Sequence, residues 1–266
     1  MTNDRTAPPA LHLLHTRPDP RRLAAWAIRH GLMQQPGDLG YALHALLRTV
    51  FGDLAPQPFH LVDARQGLLA YLQATPDQVA SCVALADADA VAALGLAASA
   101  DGAGHHLRPF PTQWPPGQVL AFDVRVRPVL RTAQGERDAF LSAVEAAGDR
   151  ASRRPLDRAE VYAQWLRNQL APRPSGGAEP WQGAVDLLDI RMTRYQLRQV
   201  MRKTQRDHPH GQRQQHISAG PDVELSGHLR VRDTDGFAAL LTRGIGRHRA
   251  FGFGMLRLRR ADQGGA

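Results

Sequence analysis

Apolar residues recur along this chain with two periods, and the switches between them mark out the elements. Leu11–His15 is a short apolar run, closed by Pro18 and Pro20, and reads as a strand. Arg21–His30 has helical spacing and stops at Gly31. Pro36-Gly37-Asp38 opens a second helix that runs to about Phe51, with Gly52 as its stop. Between Pro56 and Leu72, two apolar runs flank Ala64-Arg65-Gln66-Gly67, the composition of a hairpin turn. Thr75-Pro76-Asp77 starts another helix, with Thr75 as cap and Pro76 in the first turn. The alanine-rich stretch Val83–Ala98 is interrupted by Asp87 and Asp89, which suits a buried or half-buried helix rather than a membrane span. A weaker closing strand is expected around Leu94–Ser99.

The second half repeats the alternation. Val119–Leu130 points Phe122, Val124 and Val126 one way and Asp123, Arg125 and Arg127 the other. Asp157–Leu170 is an amphipathic helix through Val161, Trp165 and Leu170. Ala184–Leu197 and Val223–Arg232 read as strands, Asp233-Thr234-Asp235 caps a helix to Arg243, and Phe253–Arg259 closes the chain as a strand. Ser99–Gly117, rich in Gly, Pro and His, reads as a linker. The fold class expected is α+β, with two tandem ferredoxin-like (RRM-like) βαββαβ domains over residues 1–112 and 117–260.

Composition adds a partner class. The 266 residues are 43% hydrophobic, enough for two cores, yet the formal charge is +8. That excess points to a polyanion, although a basic surface can also serve solubility alone. Lys203 is the only lysine among 33 basic residues, so arginine, which binds phosphate bidentately, supplies nearly all the charge. Arg125, Arg127, Arg230, Arg232, Arg257 and Arg259 fall on the polar faces of their strands and would make a positive sheet face if those strands are neighbours. Cys82 is the sole cysteine, which excludes an internal disulfide and cysteine zinc sites and suits a reducing cytoplasm. No leader pattern or run of 18 apolar residues occurs, so no membrane partner is expected.

Three stretches could carry chemistry. On the helix to Phe51, Leu39, Leu43, Leu46 and Val50 take one side, while Tyr41, His44 and Arg48 line the other. A phenol, an imidazole and a guanidinium on one ridge suit metal-independent RNA cleavage: a proton is moved, a ribose hydroxyl is oriented and phosphate charge is steadied. A plain exposed helix face has the same spacing. Gly244-Ile-Gly246-Arg247-His248-Arg249-Ala250-Phe251-Gly252-Phe253-Gly254 combines four glycines with three cationic or imidazole side chains. Such a turn can bring backbone N–H groups to an anion. It follows a helix and precedes a strand, the reverse of a dinucleotide fingerprint. Arg191, Arg194, Arg198, Arg202, Lys203, Arg206 and Arg213 form a basic insertion that is either a functional arm or a solvated loop. His12-x-x-His15, His105-His106 and His208-x-His210 lack zinc-site spacing, so no metal and no cofactor is expected.

These motifs resemble the CRISPR repeat-processing endoribonucleases of the CasE type, associated with type I-E systems. Gly244–Gly254 is similar to the glycine-rich loop of that family, Tyr41-Ala42-Leu43-His44 to its tyrosine-x-x-histidine helix, and Gly117–Pro128 to its mid-chain strand. The resemblance implies metal-independent cleavage of CRISPR precursor RNA at a repeat hairpin, leaving 2′,3′-cyclic phosphate and 5′-OH ends. It makes His44 the proton-transfer group, assisted by Tyr41; Arg48 joins the candidate catalytic set from the ridge spacing. It places RNA on Arg191, Arg194, Arg198, Arg202, Lys203 and Arg206, and on Gly244, Gly246, Arg247, His248, Arg249, Gly252 and Gly254. The enzyme is then expected to stay on the mature guide RNA beside other subunits of a CRISPR effector complex. Similar proteins serve type IV systems, where arginines such as Arg22, Arg48 or Arg247 would carry the site. The alternative is a non-cleaving, hairpin-binding subunit of such a complex.

Overall fold

In a computed structural model, residues 10–32, 39–63, 65–97, 105–133, 135–148, 155–172, 179–203 and 215–261 are described. The helix starts follow from local side-chain chemistry. Asp19 accepts hydrogen bonds from the Arg21 and Arg22 amides at the head of α1 (Pro20–Arg29), and Thr75 and Gln78 form a reciprocal capping box on α3 (Pro76–Leu85). Between them lie α2 (Leu39–Phe51), whose expected opening at 36–38 falls outside the described residues, β2 (Phe59–Asp63) and β3 (Gly67–Leu72). β1 (His12–Thr16) begins this unit, and α4 (Ala88–Ala93) and β4 (His105–Pro109) end it.

Two expectations are corrected here. The described part of the expected strand, residues 94–97, is not a strand, and 98–99 lie outside the described residues: Ala90, Val91 and Ala93 are buried on α4, Leu94 caps it, and Gly95 turns the chain at φ +68°. A short apolar run fits either period, and here the helix wins. The alanine-rich stretch is two helices, because Asp87 accepts from the Ala90 amide and starts a new one. The fourth strand instead lies within the stretch read as linker. His105-His106-Leu107-Arg108-Pro109 lacks apolar alternation because it is an edge strand with little burial.

The second unit runs β5 (Val119–Val126), a β6–β7 hairpin (Val129–Thr132, Gly135–Asp138), α5 (Ala139–Ala147), α6 (Arg158–Leu170), β8 (Val185–Lys203), β9 (Gln215–Val231), α7 (Thr234–Arg243) and β10 (Leu256–Arg260). The hairpin and α5 were not read from the sequence. The described part of the basic insertion is the far end of β8 and β9, and Arg206 and Arg213 lie outside the described residues. β5 pairs with β9 only from Val223 to Arg230, while β8 and β9 stay paired out to Lys203 opposite Gln215, so their ends project as a two-stranded arm.

Both four-stranded sheets are antiparallel and share one topology. The orders β2-β3-β1-β4 and β10-β5-β9-β8 each place the unit's first and third strands in the middle, flanked by the fourth and second. This is the ferredoxin-like arrangement, twice. In the first unit Leu14, Phe59, Leu68, Ala70 and Leu72 pack against Leu23 and Trp26 of α1 and Leu43, Leu46 and Leu47 of α2. In the second, Phe122, Val124, Val126, Leu225 and Leu229 pack against Tyr162 and Leu166 of α6 and Phe237 and Leu240 of α7. Each such side chain contributes about 1.5–3 kcal/mol when fully buried. Leu11, Leu13 and Tyr71 leave the first sheet by its other face to join the second core, and the Tyr71 hydroxyl donates to the Leu256 carbonyl at 2.8 Å. No helix among the described residues is long and apolar enough to cross a membrane.

Candidate active site

The α2 ridge forms as the spacing predicts: Leu43, Leu46 and Val50 are buried, Tyr41 and His44 are half-buried and Arg48 is exposed. Leu39 is only half-buried, and the buried side also takes in Ala42, Leu47 and Phe51. The head of this helix lies on the glycine-rich turn. A Cβ on Gly40 would stand 2.5 Å from the Phe251 carbonyl oxygen, so only glycine permits the approach. The Phe251 ring then meets three others: Tyr41 stacks at 6.0 Å between centroids, His44 meets it edge-on at 5.5 Å, and His248 lies at 6.0 Å. Elements about 200 residues apart in the chain thus converge on one phenylalanine.

A groove of about 200 Å³ opens beside this contact, lined by Gly40, Arg125, Arg194, Arg198, Phe251 and Gly252 among others. α2, β2, β5, the β8 arm and the turn all contribute to it. Arg125 is held by both carboxylate oxygens of Asp222, at 2.8 and 2.7 Å, and covers the Phe253 ring at 4.4 Å. Burial pushes the Asp222 carboxyl up, but its bonds and attraction to Arg125, with Gln196 and Arg198, outweigh that and hold it below the usual range. Arg198 lies 3.4 Å from Asp222, and Arg194 pairs with Glu224 at 2.8 Å. Burial, then the nearby Arg48 cation, lowers the His44 pKa, so the imidazole is neutral at pH 7. Arg48 itself makes an exposed pair with Asp53 at 3.3 Å.

The glycine-rich turn differs from the expected phosphate cradle. Arg247 Nε and His248 Nε2 each lie 2.6 Å from Glu136 of β7, and the His248 side chain is fully buried. Arg249 donates to the Arg243 carbonyl at 2.7 Å, and burial lowers its pKa. Backbone N–H groups are spent internally as well: Ile245 donates to Gly254, Phe251 to His248 and Gly254 to Arg125. His248, Gly252 and Gly254 adopt left-handed φ values of +62°, +86° and +78°. Gly244 and Gly246, both at positive φ, seat the turn against Pro58 and Trp165. The turn is a braced wall of the groove.

Four of the six sheet arginines, Arg125, Arg127, Arg232 and Arg259, are also partnered. The strands are neighbours as supposed, but Arg259 bonds Asp123, Arg232 bonds Asp186, and Arg127 is buried, donating to the Arg198 carbonyl. Arg191 is exposed on the arm. Arg202 and Lys203 continue its ladder opposite His216 and Gln215, and Arg206 lies outside the described residues. Sequence reasoning missed Glu136, whose hairpin is marked only by Gly135, and Phe251, an aromatic inside a segment read for its glycines. Among the described residues no group of three or more His, Cys, Asp or Glu is placed to hold a metal ion.

Comparison with solved structures gives the same fold. CRISPR endoribonuclease Cse3 bound to a 19-nt RNA aligns with a TM-score of 0.58 and 18% identity over 95% of this chain and 100% of that one. Thermus thermophilus Cse3, bound to an RNA representing a pre-cleavage complex, aligns with a TM-score of 0.55 and 18% identity over 94% and 99%. No curated protein matches by sequence. Residues 11–260 match the family model described as CRISPR associated protein, and with both units and the groove inside that span, the chain belongs to the CRISPR associated protein family.

Proposed function

We propose that this protein is a metal-independent endoribonuclease that cleaves CRISPR precursor RNA at a repeat hairpin and stays on the mature guide as an effector-complex subunit. The observation that carries this reading is the contact of Tyr41 and His44 with Phe251 at the rim of a groove lined by Arg125, Arg194 and Arg198. It joins a neutral imidazole, through the shared Phe251 ring, to a groove lined by guanidiniums that can bind phosphate. Membership of the family and the fold shared with RNA-bound Cse3 support the same substrate.

Neutral His44 takes the proton of a ribose 2′-OH that Tyr41 orients. The 2′ oxygen attacks the adjacent phosphorus and the bond to the 5′ oxygen breaks. The departing oxygen takes a proton from water in the open groove. A 2′,3′-cyclic phosphate and a 5′-OH result. Arg48 steadies the phosphate charge from the ridge, and Arg194 and Arg198 hold neighbouring phosphates. The arm carrying Arg191, Arg202 and Lys203 lies along the stem. The turn acts as a wall through Gly244–Gly254 rather than through the charges of Arg247, His248 and Arg249.

The test is incubation with cognate repeat RNA in EDTA, followed by end-group analysis. Cleavage with a cyclic phosphate end is expected. Tight hairpin binding without cleavage would instead support the non-cleaving subunit, which the internal pairing of Arg247 and His248 with Glu136 favours. Cleavage abolished by EDTA would point to a metal-dependent nuclease.

A further inference from the structure

We propose that the open half of the first sheet's outer face binds a short single-stranded RNA segment flanking the hairpin, by stacking on His15 and His106 and a phosphate contact at Arg108. This rests on the RNA-binding reading above and extends it to a separate surface.

Cross-strand partners share a face of a sheet. The pairs His60–Leu69, Leu69–His15 and His15–His106 therefore form one row across all four strands, and Tyr71–Leu13–Arg108 is the next row on that face. The β2 end of the row is covered: His60 is 3% exposed and lies in the field of Arg257, Arg125 and Arg194 from the second unit. The β4 end is open. There His106 and Arg108 are exposed, and with Leu13, His15, Leu69 and Leu107 they line an open groove of about 730 Å³, larger than the one lined by Arg125, Arg194 and Arg198 and sharing no residue with it.

The lining decides the occupant. It contains no carboxylate. Among the described residues Arg108 has no ion-pair partner, so its charge is available to an anion. The His15 and His106 rings lie 6.2 Å apart and only 19° from parallel, and His15 is held in place by the Gln66 carbonyl at 2.7 Å. Two flat, nearly parallel rings suit the faces of bases, and an uncompensated guanidinium suits the phosphate between them. Sheets of this topology stack two or three bases through ring side chains on their strands. The path is short: β2 lines the catalytic groove through Phe59, Leu61 and Val62, and β4 is three interstrand spacings away, about 14 Å. A few unpaired nucleotides span that distance.

The test compares the whole protein's Kd for the repeat hairpin alone and for the hairpin with an unpaired flank of about six nucleotides. The flank is expected to tighten binding roughly ten-fold, within the range of one stacked base. In the doubly substituted His106→Ala/Arg108→Ala protein the gain should vanish, while bare-hairpin affinity and cleavage stay at wild-type values. Both residues are exposed, so the fold is not at risk. Arg21→Ala, on α1 behind the sheet, removes an equal charge and should retain the gain. A flank that adds nothing to the wild type, or a gain that survives in the double variant, would overturn the proposal. Failure to bind the bare hairpin would overturn the preceding reading instead, and the sheet site would then be judged by single-stranded RNA alone, with loss of binding in the double variant supporting it and retention refuting it.

Discussion

His44 and His248 meet the same phenylalanine, at 5.5 and 6.0 Å between ring centroids, yet their surroundings differ. His44 stands half-exposed on a helix ridge beside a cation and is kept neutral. His248 is fully buried in a left-handed backbone conformation, 2.6 Å from a carboxylate. One is open to a substrate and able to accept a proton. The other is a peg that, with Arg247, fastens the glycine-rich turn to β7. Residue type alone does not assign chemistry; exposure and the identity of the partner do.

The contrast can be broken most forcefully by exchanging the losses. His44→Ala should slow single-turnover cleavage by roughly 10²–10⁴-fold with hairpin Kd unchanged, as for a lost acid–base group. Glu136→Ala should act on stability: taking the carboxylate from the buried His248 ring costs about 1–3 kcal/mol, read by denaturant unfolding. If Glu136→Ala left stability intact while His44→Ala unfolded the protein, the two roles would be reversed.

A third histidine sharpens the comparison. Burial, with Arg257, Arg125 and Arg194, lowers the His60 pKa to about 3, against 6.5 for an unfolded chain. The unfolded state therefore binds the proton first, and this stabilisation is full above 6.5 and lost as pH falls toward 3. At about pH 5 the wild type should lose about 2 kcal/mol more stability than His60→Leu does over the same change. For His44 the lowered pKa places the acid limb of the cleavage rate below 6.5, so activity should hold from neutral pH down past that value. A limb centred above 6.5 would contradict its environment. The smallest effect on stability belongs to Arg48→Ala, whose exposed pair with Asp53 is screened by solvent, so the melting temperature should stay nearly unchanged.

Much of this was legible in the sequence where a pattern has one physical meaning. Thr75 and Asp233 start helices because their side chains accept from first-turn amides, Pro76 fits the first turn, and Phe122, Val124 and Val126 alternate because one face of β5 is buried. The α2 ridge follows from helical spacing in the same way. What failed was ambiguous or long-range. β4 lacks alternation because it is a half-open edge, and the run Leu94–Ser99 suited a strand as well as a helix end. The arm lacked turn chemistry within the strands to show that they stay paired to Lys203. Glu136 could not be linked to His248 across 112 residues, so the pairing that braces the turn was not legible.

The most direct test is a structure of the protein with repeat RNA carrying 2′-deoxyribose at the cleavage position. The account predicts the uncut phosphodiester in the groove between α2 and the glycine-rich turn, its 2′ carbon facing the His44 ring and its flanking phosphates on Arg194 and Arg198. A cleavage-site phosphate seated on another surface, with His44 touching no RNA, would contradict it.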